Sequence, residues 1–157
     1  MNRQPPQPDS SGKVTVGWRE YVALPDWGVS RIKAKIDTGA RTSALDVSDL
    51  QELPGGRVRF DIVVDRLHPQ RRVTVETPVV RRTRVRSSFG ATHERLVVST
   101  TMVIGPVQKE VELSLVSRQH MLCRMLIGRK SLAPDLLVDS SRRYVVGRRR
   151  TAPAPER

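Results

Sequence analysis

The chain has 157 residues, a length that favours a single domain. Its 28 Lys and Arg against 16 Asp and Glu give a formal charge of +12, which is typical of proteins that meet nucleic acid, an anionic surface or an acidic substrate. No apolar run reaches the ~18 residues of a membrane span, and residues 1–12 lack the apolar part of a signal peptide. The single cysteine excludes an intrachain disulfide. We therefore expect a cytoplasmic protein with no membrane partner.

The two ends of the chain differ in composition from its middle. Residues 1–12 are polar and rich in proline, and residues 148–157 combine arginines with prolines. Segments of this kind bury too little apolar surface to fold. We predict two disordered tails, the second of them basic, around one domain at 13–147.

Within the predicted domain, short alternating segments are separated by turn residues. Period-two alternation predicts strands with one face buried, and many short strands predict a β-barrel or a β-sandwich. Aromatic residues make up only 4% of the chain, so the core must be aliphatic. The predicted strands are 13–24, 29–36, 42–50 (or a short turn there), 58–64, 73–80, a hairpin of 95–104 with 107–116, 121–127, 136–138 and 144–146, with one short helix at 128–133.

The segment 29–36 leads into the most informative residues of the chain, Asp37, Thr38 and Gly39. Gly39 permits a tight turn because it has no Cβ, and the Thr38 hydroxyl can hydrogen-bond to the backbone and fix that turn. Asp37 is then left at the end of a strand, where a rigid scaffold can aim its carboxylate outward. An ordinary surface turn is the alternative interpretation of the same triplet.

An apolar residue followed by Asp-Thr-Gly-Ala resembles the active-site signature of aspartic proteases of the retropepsin-like kind, which carry one such motif per chain. A second segment, Met125-Leu126-Ile127-Gly128, supports the resemblance. In retropepsin-like folds an apolar-apolar-Gly strand runs beside the Asp-Thr-Gly turn. The resemblance implies an all-β, closed retropepsin-like barrel with one short helix near the C-terminus.

A narrower resemblance covers most of the predicted domain. The chain is similar to a bacterial family of small proteins often labelled ATP-dependent zinc proteases, which includes the RimK-associated protease RimB. One departure is Asp46, where members of the family commonly carry His. The segments that carry the resemblance are 17–20, 24–25, 32–35, 37–45, 78–80, 124–129 and 137–139.

The resemblance implies aspartic peptidase chemistry, in which two adjacent carboxylates share one proton and activate a water. Asp37, Thr38 and Gly39 are the implied catalytic residues. The other acids of the chain lack the context of Asp37, so we expect the second carboxylate from another copy of the chain, in a homodimer.

Substrate contacts are expected on both sides of this motif. Ala40 and Arg41 follow the turn, and a mobile hairpin at 80–95, with Ser88, Phe89 and Gly90 at its tip, is the candidate cover of the substrate, ahead of the loop at His68. Arg41 would attract acidic substrate, and a plain salt bridge is the alternative. The resemblance implies a peptide or protein substrate, including glutamate tails added to a ribosomal protein.

Residue spacing gives no support to the zinc and ATP of the family label. His68, His93 and His120 are scattered, and the chain has no His-Glu-x-x-His helix and no cysteine pair. The segment 129–131 lacks the glycines of a phosphate-binding loop. We expect no metal and no cofactor.

Two other functions remain open at this point. A small basic β-barrel can bind RNA, the ribosome or an acidic protein without catalysis. Nucleic acid is disfavoured as a partner, because such modules offer clusters of stacking aromatics that this chain lacks. A protease fold that keeps its dimer but has lost its activity is the other alternative.

Overall fold

The computed structural model of the protein describes residues 7–65, 67–86, 89–117 and 123–146. In these residues the chain forms twelve strands and one short α-helix, with a 3-10 turn at Pro25–Trp27. The elements are β1 (Val14–Gly17), β2 (Arg19–Leu24), β3 (Val29–Ile36), β4 (Ser43–Asp46), β5 (Ser48–Leu53), β6 (Arg57–Val63), β7 (Arg72–Pro78), β8 (Arg81–Arg86), β9 (Thr92–Ile104), β10 (Val107–Val116), β11 (Met125–Ile127), α1 (Arg129–Leu132) and β12 (Leu136–Asp139).

Six strands close into a barrel in the order β10-β4-β11-β3-β2-β9, and pairing of β9 with β10 completes the ring. Alternate residues of each strand point inward, as Ile32, Ala34 and Ile36 of β3 do. The buried core is almost wholly aliphatic, with Phe60 as its largest fully buried side chain. This confirms the expected all-β, closed retropepsin-like barrel with one short helix near the C-terminus.

Three further groups of strands lie outside the ring. Strand β8 extends the barrel sheet by pairing with β9. Strands β5, β6 and β7 form a separate antiparallel sheet, and β1 pairs with β12 in parallel. This β1–β12 pair joins the first and the last strand of the described residues.

Several predicted elements differ from those observed. The predicted strand 13–24 is divided at Trp18, and 42–50 forms two strands rather than one. The predicted strand 121–127 has only Met125–Ile127 as strand, with 121–122 outside the described residues. The predicted strand at 144–146 is wrong. The amides of Val145 and Val146 donate to the Glu20 carboxylate, so a side chain takes the place of a neighbouring strand.

In the part of the chain that the structure describes, no helix has the length and apolar character needed to cross a membrane.

Candidate active site

Asp37 is the first residue after β3 and begins a tight turn that its own carboxylate closes. The amide of Gly39 donates to Asp37 Oδ1 at 2.9 Å, and the amide of Ala40 donates to the Asp37 carbonyl at 3.2 Å. A Cβ at position 39 would lie 3.2 Å from Oδ1, so glycine leaves the carboxylate room. The Asp37 carboxylate therefore fixes the turn, and not the Thr38 hydroxyl as the sequence suggested. Asp37 is half-buried and Thr38 is exposed.

Strand β11 lies between β3 and β4 in the sheet and supports the Asp37 turn through a backbone hydrogen bond. It runs parallel to β3, with Ile127 opposite Ile36, and the Asp37 amide donates to the Ile127 carbonyl at 2.9 Å. The neighbouring Gly128 passes so close to the chain that a Cβ there would lie 2.4 Å from the carbonyl oxygen of Thr42. This arrangement confirms the pairing of the two sequence segments.

The first residues of α1 also donate hydrogen bonds to this turn, an arrangement that we call the α1 clamp. Arg129 Nη1 donates to the Thr38 carbonyl at 3.0 Å, and the Arg129 amide donates to the Ala40 carbonyl at 2.9 Å. The Lys130 amide donates to the Arg41 carbonyl at 3.0 Å. Hydrogen bonds to β11 and α1 thus hold the backbone at Asp37, Thr38, Ala40 and Arg41, so the scaffold fixes the turn that carries the Asp37 carboxylate.

A buried pair of hydroxyls, those of Ser43 and Ser131, supports the α1 clamp. The Oγ atoms of Ser43 and Ser131 lie 2.7 Å apart, and Ser43 Oγ also accepts the amide of Gly128 at 3.0 Å. The sequence analysis missed Arg129, Ser43 and Ser131. Their places in the sequence could have indicated this role, because Ser43 closely follows the Asp-Thr-Gly motif and the other two residues follow the apolar-apolar-Gly strand.

The proposed substrate-binding residues fall into two groups. Ala40 and Arg41 share the turn with Asp37, and Arg41 is exposed with no carboxylate at ion-pair distance in the described part of the chain. The salt-bridge alternative for Arg41 therefore has no partner among those residues. Phe89, 96% exposed, and Gly90, at φ +82°, belong to the β8–β9 hairpin tip, and Ser88 lies outside the described residues.

Asp46, the departure from the family pattern, has a structural partner. It is buried, and its Oδ2 accepts from Arg124 Nη1 at 2.8 Å. The Asp46 amide also donates to the Arg124 carbonyl at 2.7 Å. Removing one side chain of a buried ion pair is strongly destabilising. Asp46 therefore joins β4 to the start of β11.

A cavity of about 270 Å³ lies beside α1, and Asp37 does not line it. Its lining is mostly polar and includes Arg81 and Glu112, whose side chains form an ion pair at 2.6 Å. The geometry of the Asp37 turn, and not this cavity, identifies the candidate site. The lining residues are Thr42, Ser43, Arg81, Val97, Glu110, Val111, Glu112, Ser114, Lys130 and Ser131.

Among the described residues no group of three or more His, Cys, Asp or Glu side chains could hold a metal ion. His68 Nδ1 instead lies 2.7 Å from Asp65 Oδ2. This hydrogen bond lowers the pKa of Asp65, and the hydrogen bond that the Leu67 amide donates to Asp65 lowers it further. His93 lies on β9 opposite Val85, and His120 is outside the described residues. The expectation that no metal or cofactor takes part stays a prediction.

Comparison with known proteins agrees with this geometry. The sequence model of a family described as "RimB-like: Retropepsin-like aspartic endopeptidase RimB" matches residues 15–149. A probable alpha-L-glutamate ligase of Shewanella pealeana is 36% identical over 143 residues, 88% of this chain and 31% of the relative. One from Parasynechococcus marenigrum is 33% identical over 138 residues, 86% of this chain and 30% of the relative. The chain thus spans about a third of the length of these curated relatives.

A solved structure shares the fold. The crystal structure of a protein of unknown function from Legionella pneumophila superposes with a TM-score of 0.70 at 20% identity, over 84% of this chain and 97% of that one. The family match covers most of the chain, including the turn at Asp37 and the strand that supports it. The chain belongs to the RimB-like family of retropepsin-like aspartic endopeptidases.

Proposed function

We propose that the protein is an aspartic endopeptidase in which Asp37 is the catalytic acid. The observation that carries this proposal is the turn at the end of β3, whose backbone is held by hydrogen bonds to β11 and α1 and whose Gly39 amide donates to the Asp37 carboxylate. A preorganised carboxylate is what the chemistry needs, because misplacement by about 1 Å can cost roughly 10²-fold in rate.

The proposed reaction uses two Asp37 carboxylates with one proton between them. The ionised carboxylate takes a proton from a water, and the oxygen of that water attacks the peptide carbonyl. The protonated carboxylate donates a hydrogen bond to the carbonyl oxygen as negative charge develops there. The proton then passes to the leaving nitrogen, and the peptide bond breaks.

The second carboxylate comes from another copy of the chain. The sequence has one Asp-Thr-Gly, and a two-fold axis through the water would place two identical turns face to face. The exposed Thr38 hydroxyl is available to brace the two turns across that axis. The working form is therefore a homodimer.

Glutamate-rich protein tails are the proposed substrates, among them a glutamate-tailed ribosomal protein. The aligned relatives are named as probable alpha-L-glutamate ligases, and about a third of each of them matches this chain. A peptidase segment in such a protein fits hydrolysis of the bonds that a glutamate ligase makes. The charge of +12 and the exposed Arg41 favour acidic substrates.

Substitution of Asp37 tests the catalytic assignment. Asp37→Asn keeps the shape of the turn and removes the base, so cleavage of a glutamate-rich peptide should fall at least about 10³-fold while the unfolding midpoint in urea changes little. Because each dimer needs two intact carboxylates, excess Asp37→Asn chain should also inhibit the wild-type protein. Full activity of the Asp37→Asn protein would refute the assignment.

A further inference from the structure

A row of cations on the outer wall of the barrel leads to the candidate site. The outward side chains of β3 are Arg31, Lys33 and Lys35, and Lys35 stands two positions before Asp37. On the neighbouring β2, Arg19 lies opposite Lys35. We call these four residues the basic row. Lys35 is exposed and the other three are half-buried.

Two members of the basic row, Lys33 and Lys35, differ in their surroundings from several other cations of the protein. Several arginines of β6, β7 and β8 lie within ion-pair distance of Asp or Glu side chains, among them Arg57, Arg72 and Arg82. In the described residues no carboxylate comes within that distance of Lys33 or Lys35. Like charges directly opposite on neighbouring strands are unfavourable, so the Arg19–Lys35 pair costs stability. Binding of an anion would relieve that repulsion.

The aromatic side chains beside the row already contact other groups, and Trp18 has the Arg19 guanidinium 4.8 Å from its ring centroid. Tyr21 lies opposite Lys33, stacks on Tyr144 with ring centroids 4.9 Å apart, and has the Arg31 guanidinium 3.7 Å from its own centroid. Single-stranded nucleic acid needs free aromatic faces for its bases. The row therefore offers charge without a stacking platform, which favours an acidic peptide over RNA.

We propose that the basic row is an exosite for an extended acidic peptide and that it guides the peptide toward Asp37. Identifying the bound chain as substrate rests on the proposed peptidase function. Side chains on one face of a strand recur every ~6.6 Å, and those of an extended peptide do the same, so successive cations can meet alternate carboxylates. From Arg31 to Asp37 the strand covers roughly 20 Å, the length of about six extended residues.

A binding measurement on the Asp37→Asn protein tests the exosite without requiring cleavage. The probe is a fluorescent decaglutamate, followed by anisotropy at low salt. The double variant Lys33→Gln/Lys35→Gln should bind about fivefold more weakly or worse, since each exposed charge pair is worth a few tenths to one kcal/mol. Lys33→Arg/Lys35→Arg keeps the charge and should bind like the parent.

The matched control removes the same charge elsewhere. Arg57→Gln/Arg59→Gln on β6 also lowers the net charge by two and should leave decaglutamate binding nearly unchanged. Equal weakening by both glutamine pairs would show a general charge effect and overturn the proposal. Tighter binding of a single-stranded oligonucleotide of equal charge, lost in Lys33→Gln/Lys35→Gln, would assign the row to nucleic acid and also overturn it.

The same experiment separates this proposal from the peptidase function. Decaglutamate binding that depends on the row, in a wild-type protein that cleaves no glutamate-rich peptide, would refute the proposed activity and support the row as a peptide-binding surface. Cleavage at the wild-type rate and KM in Lys33→Gln/Lys35→Gln, with unchanged binding, would refute the exosite and leave the peptidase assignment standing.

Discussion

At the scale of single residues, the sequence predicted the motif but not what supports it. Asp37 and Gly128 are recognisable from their neighbours in the chain, because a tight turn and an apolar strand are local patterns. The Ser43–Ser131 bond and the Arg124–Asp46 pair join residues 88 and 78 positions apart. Pairing at such distances depends on how the barrel closes, and no local pattern records it. Most of the turn's support is of this long-range kind.

Gly128→Ala tests how closely the two segments must approach. The added Cβ would lie 2.4 Å from one carbonyl oxygen and 2.9 Å from another, both in the chain after Asp37. We expect loss of about 2 kcal/mol or more in the free energy of unfolding, from backbone strain, and loss of activity even in the folded fraction. Urea unfolding and peptide cleavage measure the two effects.

Gly55→Ala is the comparison for Gly128→Ala. Gly55 has φ +80° and nothing within 4 Å of its ideal Cβ, so alanine there costs only the strained backbone, about 1 kcal/mol. If Gly128→Ala were no more destabilising than Gly55→Ala and remained fully active, close approach at position 128 would not matter to the site.

At the scale of elements, alternation located most of the strands, and two of the errors, at 13–24 and 144–146, fall beside the Glu20 side chain. The segment 144–146 has strand-like residues but lies against Glu20, whose buried carboxylate accepts the amides of Gly17, Val145 and Val146. The same carboxylate lies where the predicted strand 13–24 is interrupted. Residue preferences carry no information about such a partner, so alternation alone predicts one strand at 13–24.

Glu20→Gln is predicted to loosen the C-terminal segment. The glutamine amide can satisfy fewer of the three backbone donors and adds donors of its own among them, so buried amides lose their partner at about 1–3 kcal/mol each. We expect a lower free energy of unfolding in urea and faster proteolytic cleavage near Val145. Glu112→Gln, at an exposed ion pair, should change stability by about 0.5 kcal/mol or less. Equal stability of the two variants would contradict this role of Glu20.

At the scale of the whole molecule, fold class follows from the sequence more readily than the working assembly. The barrel is specified by many alternating strands and two supporting motifs, which are spread along the chain. The domain bounds at 13–147 and the disordered tails stay predictions, which limited proteolysis would check. The dimer is inferred from chemistry, because one chain supplies one Asp-Thr-Gly where two carboxylates are required.

Concentration and salt should therefore act on activity in separate ways. Activity per chain should fall on dilution for every substrate, because dissociation of the dimer removes the second carboxylate. Raising the salt should slow cleavage of a glutamate-rich peptide far more than that of a neutral peptide, because exposed charges are screened beyond ~8 Å at physiological ionic strength. Rates measured across both series, with sedimentation to follow the dimer, test the two effects. A monomer active at every concentration would contradict the dimer. Equal rates on glutamate-rich and lysine-rich peptides at low salt would contradict the acidic preference, since the charge of +12 would then steer no substrate.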